Sequence, residues 1–156
     1  MPVTYVTGDP LLTHAQVLAF GYNAKGRTEV GAFETHLLDL YPSAFATFGK
    51  QCRSERIKPG TFWVWRESVP QLAFMVVRES SVGATRMRFV ESVVMALARD
   101  YRLYNITSMA LARLSGSEEW PALKLVVDYW LKTCPLPVVV YDGYARGITA
   151  EESGLP

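Results

Sequence analysis

Histidine is nearly missing from this 156-residue chain, which has only His14 and His36. That excludes a multi-histidine metal centre. Cysteine is as scarce, with Cys52 and Cys134 alone, too few for a thiolate metal cluster or a disulfide framework. Cys134 continues the apolar face of a predicted helix and reads as a reduced core thiol. No metal site and no cofactor is implied. Charge of one sign is also lacking: the net charge is +1, so no strong field marks a nucleic-acid or membrane surface. No apolar run reaches the roughly 20 residues of a membrane span. The opening "MPVTYVTGDP" has neither the basic start nor the apolar block of a secretory signal. The expectation is a soluble, cytoplasmic protein with no membrane partner. Neither a GxGxxG fingerprint nor a Walker loop occurs, and no Ser-His-Asp set is visible. Glu118 and Glu119 are adjacent, so on a helix they point about 100° apart and read as helix-cap residues, not as a paired acid and base.

What remains is an ordinary globular mixture, 49% hydrophobic and 20% charged, at a length that suits one domain with one core. No repeat, low-complexity tract or linker interrupts it before the last dozen residues. The expected domain is 1–143, with an irregular tail over 144–156.

Residues 3–7 ("VTYVT") alternate and are rich in β-branched side chains, which suits a strand. Residues 15–21 ("AQVLAFG") are apolar almost throughout, as strands covered on both faces are. Residues 31–41 read as a helix that stops at Tyr41-Pro42, because the residue before a proline avoids the α region. Pro42 then fits the first turn of a second helix over 43–52. A "KPG" turn at 58–60 precedes strands at 61–65 and 72–77. Val90, Val93, Val94, Leu97, Ala98 and Tyr101 recur at helical spacing, with Arg86, Glu91, Arg99 and Arg102 elsewhere around the wheel. A strand lies within 105–114. The last helix is expected to open at Ser117 as N-cap, with Glu118 and Glu119 near its positive end. Its stripe is Trp120, Leu123, Val126, Val127, Trp130, Leu131 and Cys134, and "PLPVVVYDG" supplies a closing strand. Apolar strands alternating with helices indicate an α/β fold, a three-layer αβα sandwich around a mixed central sheet. Ligands in such folds sit beyond the carboxyl ends of the strands.

The segments leaving strands therefore hold the candidate site residues. Gly8-Asp9 reads as a turn, or as a carboxylate accepting from an exocyclic amine such as that of adenine. Asn23 reads as a turn residue. After it, "NAKGRTEVGAF" places Gly26 and Gly31 before a helix, where backbone amides can face an anion. The loop "ARLSGSEEW" also leads from strand to helix. There Ser115, Gly116 and Ser117 form either a plain connection or a second anion cradle. Arg78 is a surface charge or faces the site, and Arg86 and Arg88 read as solvated.

Taken in order, these signals resemble a macrodomain, the ADP-ribose-binding fold. They are most similar to the branch holding the antitoxin glycohydrolases that reverse DNA ADP-ribosylation and the terminal ADP-ribose protein glycohydrolase. Gly8-Asp9 matches the turn after the first strand, Asn23 in "AFGYN" the end of the second, and "EVGAF" the glycine loop opening a helix. "LYPSAFATFGKQCRSERIKPGTFWVW" then follows the family's order of aromatic-Pro junction, aromatic helix, Cys, Pro-Gly turn and strand. "LARLSGSEEW" matches the later loop that ends in Trp. The resemblance spans about residues 2–141 and rests on colinearity.

The resemblance implies an ADP-ribose cleft. Asp9 would meet the adenine amine and Asn23 the distal ribose. The backbone of Val30-Gly31-Ala32 would line one side of the diphosphate, and that of Leu114-Ser115-Gly116-Ser117 the other. Departures accompany it. Val30 and Ala32 stand where the family has glycines, and Ala112-Arg113-Leu114 replaces Gly-Cys-Gly. Only glycine combines close approach with positive φ; Arg113 can instead pair with the diphosphate directly. The branch's catalytic Lys falls on Arg78, which stays protonated and cannot act as an amine nucleophile. The Asp that acts with that Lys falls near Gly116. The expectation is a divergent macrodomain that binds ADP-ribose or a related nucleotide, with hydrolase activity absent or altered. One alternative is a glycohydrolase acting on ADP-ribosylated DNA or protein, with Arg78 as an electrostatic clamp. The other is a pocket-less scaffold for protein contact.

Overall fold

The computed structural model describes residues 3–156; Met1 and Pro2, the start of the expected domain, lie outside them. Six strands and four α-helices follow in the order β1 (Val3–Gly8), β2 (Val17–Asn23), α1 (Ala32–Leu40), α2 (Pro42–Arg53), β3 (Phe62–Trp65), β4 (Gln71–Arg78), α3 (Met87–Asp100), β5 (Met109–Ala112), α4 (Trp120–Leu131) and β6 (Val138–Tyr144). The sheet runs β1-β6-β5-β2-β4-β3. All neighbours pair in parallel except β3, which lies antiparallel on β4. The fold is thus α/β with a mixed sheet, as expected.

The inner strands explain the two other layers. β2 lies between β4 and β5 and is buried at every position, the burial its apolar sequence calls for. Along β4, Leu72, Phe74 and Val76 face one side, while Ala73, Met75 and Val77 face the other. The first side packs against α1 and α2, where Phe48 stacks on Phe74 at 4.3 Å between ring centroids. On the second side, Val90, Val93, Val94 and Leu97 of α3 meet Leu123, Val127 and Leu131 of α4. Both helical stripes therefore face the core, and Cys134 is buried as a free thiol beside them.

One boundary differs from the sequence reading. The last helix begins at Trp120, not just after Ser117; residues 117–119 form a turn capped by the Gly116 carbonyl, which accepts from Glu119 and Trp120 N–H. Pro121 fits only the first turn of a helix, because it has no N–H to donate. Ser117 is exposed and caps nothing.

After β6 the chain forms no further helix or strand, yet it is tied down. Ile148 O accepts from Asp9 N–H at 2.7 Å, and Ala145 N–H donates to Gly8 O at 2.9 Å. Glu152 accepts from Thr13 Oγ1, His14 N and Tyr141 OH. Ala150 and Leu155 pack on the core layer that α1 and α2 also cover. Because the long strands run in parallel, the segments after β1, β2, β4, β5 and β6 all emerge at one end of the sheet.

Candidate functional site

A cleft of about 430 Å³ opens at that end. One wall is the segment from Glu29 to Glu34 that leads into α1. The opposite wall runs from Ala112 to Gly116 and includes Glu119. Gly21 of β2 lies between them, where the loop after β5 folds onto the strand; a side chain on Gly21 would collide with the Leu114 carbonyl. Arg78, Thr85, Pro10, Tyr141 and Tyr144 complete the lining.

Eight of the sequence candidates meet on this lining: Val30, Gly31, Ala32, Arg78, Arg113, Leu114, Ser115 and Gly116. The side chains of Val30 and Leu114, which the resemblance sets where glycines were expected, leave the cleft open. Val30 is 99% exposed at the cleft wall, whereas Leu114 is buried in the core layer under α3 and α4. Gly8, Asp9, Asn23 and Ser117 are not on the lining.

Asp9 and Asn23 are committed to internal hydrogen bonds. Asp9 is 2% exposed; one carboxylate oxygen accepts from Leu11 N–H at 3.0 Å, capping a short 3-10 turn. The other accepts from Gly147 N–H of the tail at 2.9 Å. Asn23 is fully buried. Its amide donates to Arg27 O at 2.8 Å and Glu29 Oε2 at 2.7 Å, while its oxygen accepts from the N–H groups of Lys25 and Arg27. The Asn thus organises the loop that carries Glu29 into the cleft wall.

Arg78 is anchored as well as charged. Its guanidinium donates to Glu29 Oε2 at 3.3 Å, Thr85 Oγ1 at 2.7 Å and the Leu114 carbonyl at 3.1 Å. The Arg78 and Glu29 side chains are 12% and 11% exposed. One planar cation on the cleft lining therefore joins three segments, a task that suits a fork of five donors. Ser115 and Glu119 hydrogen-bond to each other, and Thr85 reaches Ser115 at 3.1 Å.

The carboxylates shape the electrostatics. Burial pushes the Glu34 carboxyl above the usual carboxylate range, and Glu29 adds to the rise. The Tyr22 phenol behind this wall is pushed up to about 12, first by burial and then by Glu29. Tyr144, also on the lining, is raised by burial and by Asp9. Among the described residues, no group of three or more His, Cys, Asp or Glu is placed to hold a metal ion.

Sequence reasoning missed Glu29, Glu34, Thr85, Glu119, Tyr141 and Tyr144 as lining residues. Glu29 and Glu34 carried a readable signal: a carboxylate on each side of a glycine that precedes a helix. Tyr141 and Tyr144 carried none, since an aromatic at a strand end is as often core.

A six-stranded mixed sheet between helix pairs, with a cleft across the carboxyl edge of its parallel strands, is the macrodomain fold, and solved structures agree. More particularly, the chain superimposes on two DarG macrodomains. With that of Thermus aquaticus the TM-score is 0.81 at 20% identity, covering 90% of this chain and 97% of the other. With that of Mycobacterium tuberculosis it is 0.80 at 18% identity, covering 93% and 98%. Thermosipho africanus DarTG in complex with ADP-ribose matches at 0.82 and 15% identity, over 98% of this chain but 44% of that one. No protein-family model and no curated protein matches the chain. No helix among the described residues is long and apolar enough to cross a membrane.

Proposed function

We propose that the cleft binds ADP-ribose or a closely related nucleotide, free or attached to DNA or protein, and that hydrolysis of the ADP-ribosyl bond is absent or altered. The observation that carries this reading is the open cleft of about 430 Å³ between the two loops, in a fold shared with a DarTG solved in complex with ADP-ribose. A pocket of that size suits a ligand of nucleotide dimensions, and an open cleft disfavours a scaffold that has lost its site. Backbone at Gly31 and Gly116, with the Arg113 side chain, would meet the diphosphate. The binding unit is a single domain over 1–143 with its tail 144–156, acting in the cytoplasm.

The altered chemistry follows from Arg78. A guanidinium stays protonated at working pH and is already shared among Glu29, Thr85 and Leu114. It can hold charge but has no free electron pair for attack or proton transfer. Titration calorimetry with ADP-ribose should give saturable binding; no heat at millimolar ligand would overturn the reading. Incubation with ADP-ribosylated oligonucleotide or protein should release little ADP-ribose, and rapid release would establish the glycohydrolase alternative instead.

A further inference from the structure

The wall that leads into α1 contains an anion of its own. Gly31 is the N-cap of α1, and Glu34 is the third residue of the helix. At that point backbone N–H groups lack intrahelical partners and favour negative charge. The Glu34 side chain folds back so closely over Gly31 that a Cβ there would collide with its carboxylate. The same carboxylate lines the cleft. It is thus seated on the part of the wall where a phosphate would meet backbone donors.

The groups facing it carry both signs of charge. Glu29 adds like charge from the preceding loop. Arg78 of β4 acts on it from a distance while bonded to Glu29. Arg113, after β5, is the remaining cation that acts on it and makes no salt bridge with any described residue. Tyr22 of β2 and Tyr144 of β6 feel its charge as neutral phenols. Arg146 of the tail stands beside Tyr144, and His36 lies further along α1.

We propose that Glu34 is a resident anion in the phosphate cradle, which a phosphate-bearing ligand must neutralise by proton uptake, so that binding in this cleft is coupled to pH. The proposal rests on the nucleotide reading above. A phosphate within a few ångströms raises the carboxyl's proton affinity further. Binding then takes up a proton and weakens as pH rises. The diphosphate of ADP-ribose keeps its charge above about pH 5, so the ligand does not contribute to the slope.

Glu34→Gln separates charge from structure, because Gln serves at this helix position as Glu does. In wild type, ADP-ribose affinity should fall as pH rises through the titration of this carboxyl, by on the order of tenfold in all for one unit of differential proton affinity. E34Q should bind with a flat pH profile and be tighter than wild type at pH 8 by a similar factor. Calorimetry in two buffers of different ionisation enthalpy should report proton uptake in wild type and none in E34Q. Adenosine, which lacks phosphate, should be unaffected by pH or variant. Equal, flat profiles for ADP-ribose in both proteins would overturn the proposal while leaving the nucleotide reading intact. An E34Q profile that keeps the wild-type slope assigns the proton to another group and overturns it too. If neither protein binds ADP-ribose at any pH, the nucleotide reading falls and this proposal with it.

Discussion

Arg78 shows how one residue changes what a cleft can do. Its position at the end of β4 was legible from sequence; its partners were not, because Glu29 is 49 residues away and Leu114 is 36. Two nearly buried, opposite charges hold each other in place, and removing one leaves the other uncompensated. Arg78→Met should therefore destabilise the protein by roughly 3 kcal/mol. Adding Glu29→Gln should recover part of that loss, since the orphaned carboxylate disappears. Urea unfolding of the two singles and the double would measure the coupling, and strict additivity would show that the pair contributes nothing specific. Arg78→Lys keeps the charge but loses the planar fork that also reaches Thr85 and Leu114. Asn23 teaches the complementary lesson. An Asn after a strand reads as a turn residue, and its four internal hydrogen bonds give it the work of shaping a loop.

At the scale of elements, what could be read was what had a period. The stripes of α3 and α4 and the continuous apolar run of β2 indicated burial directly, because spacing and side-chain type carry that information locally. The start of α4 differs from the sequence reading because Ser117 has the chemistry of an N-cap, but Pro121 and the Gly116 carbonyl set the first turn two residues later. The segment after Tyr144 had no period to read. Its attachment lies in single polar contacts with residues more than a hundred positions away, chiefly Glu152 with Thr13 and His14 and Gly147 with Asp9. Glu152 gathers three donors, and hydrogen bonds to a charged group stabilise by more than neutral ones. Glu152→Ala should cost roughly 2–4 kcal/mol. It should also release residues 145–156 to limited proteolysis before the core unfolds. A variant that melts as wild type and resists the protease equally would show the tail to be held by its apolar contacts alone.

For the whole molecule, the fold class was readable and the strand order was not. β1 pairs with β6, joining the two ends of the chain, and no local pattern encodes a pairing between residues 3 and 138. That closure has an electrostatic consequence. The layers bury phenols from several strands: Tyr5 of β1, Tyr22 of β2 and Tyr141 of β6 all have their proton affinity raised, in each case first by burial. An unfolded chain releases tyrosine protons near pH 10, while the folded chain retains them. Above that pH the unfolded state binds fewer protons than the native state, so stability falls as pH rises. The contribution is complete below about pH 10 and is lost progressively toward the folded values, which for Tyr22 is about 12. Tyr22 isolates the effect, because its ring is packed among Phe45, Phe48 and Phe74 and its hydroxyl donates to the side chain of no described residue. Tyr22→Phe should leave stability at neutral pH nearly unchanged. By pH 11.5 it should reduce the alkaline loss by on the order of 2 kcal/mol relative to wild type. Urea midpoints at pH 8 and pH 11.5, with tyrosinate absorbance followed in parallel, give the comparison. Equal alkaline losses in the two proteins would mean that the Tyr22 phenol titrates alike in the folded and unfolded chains.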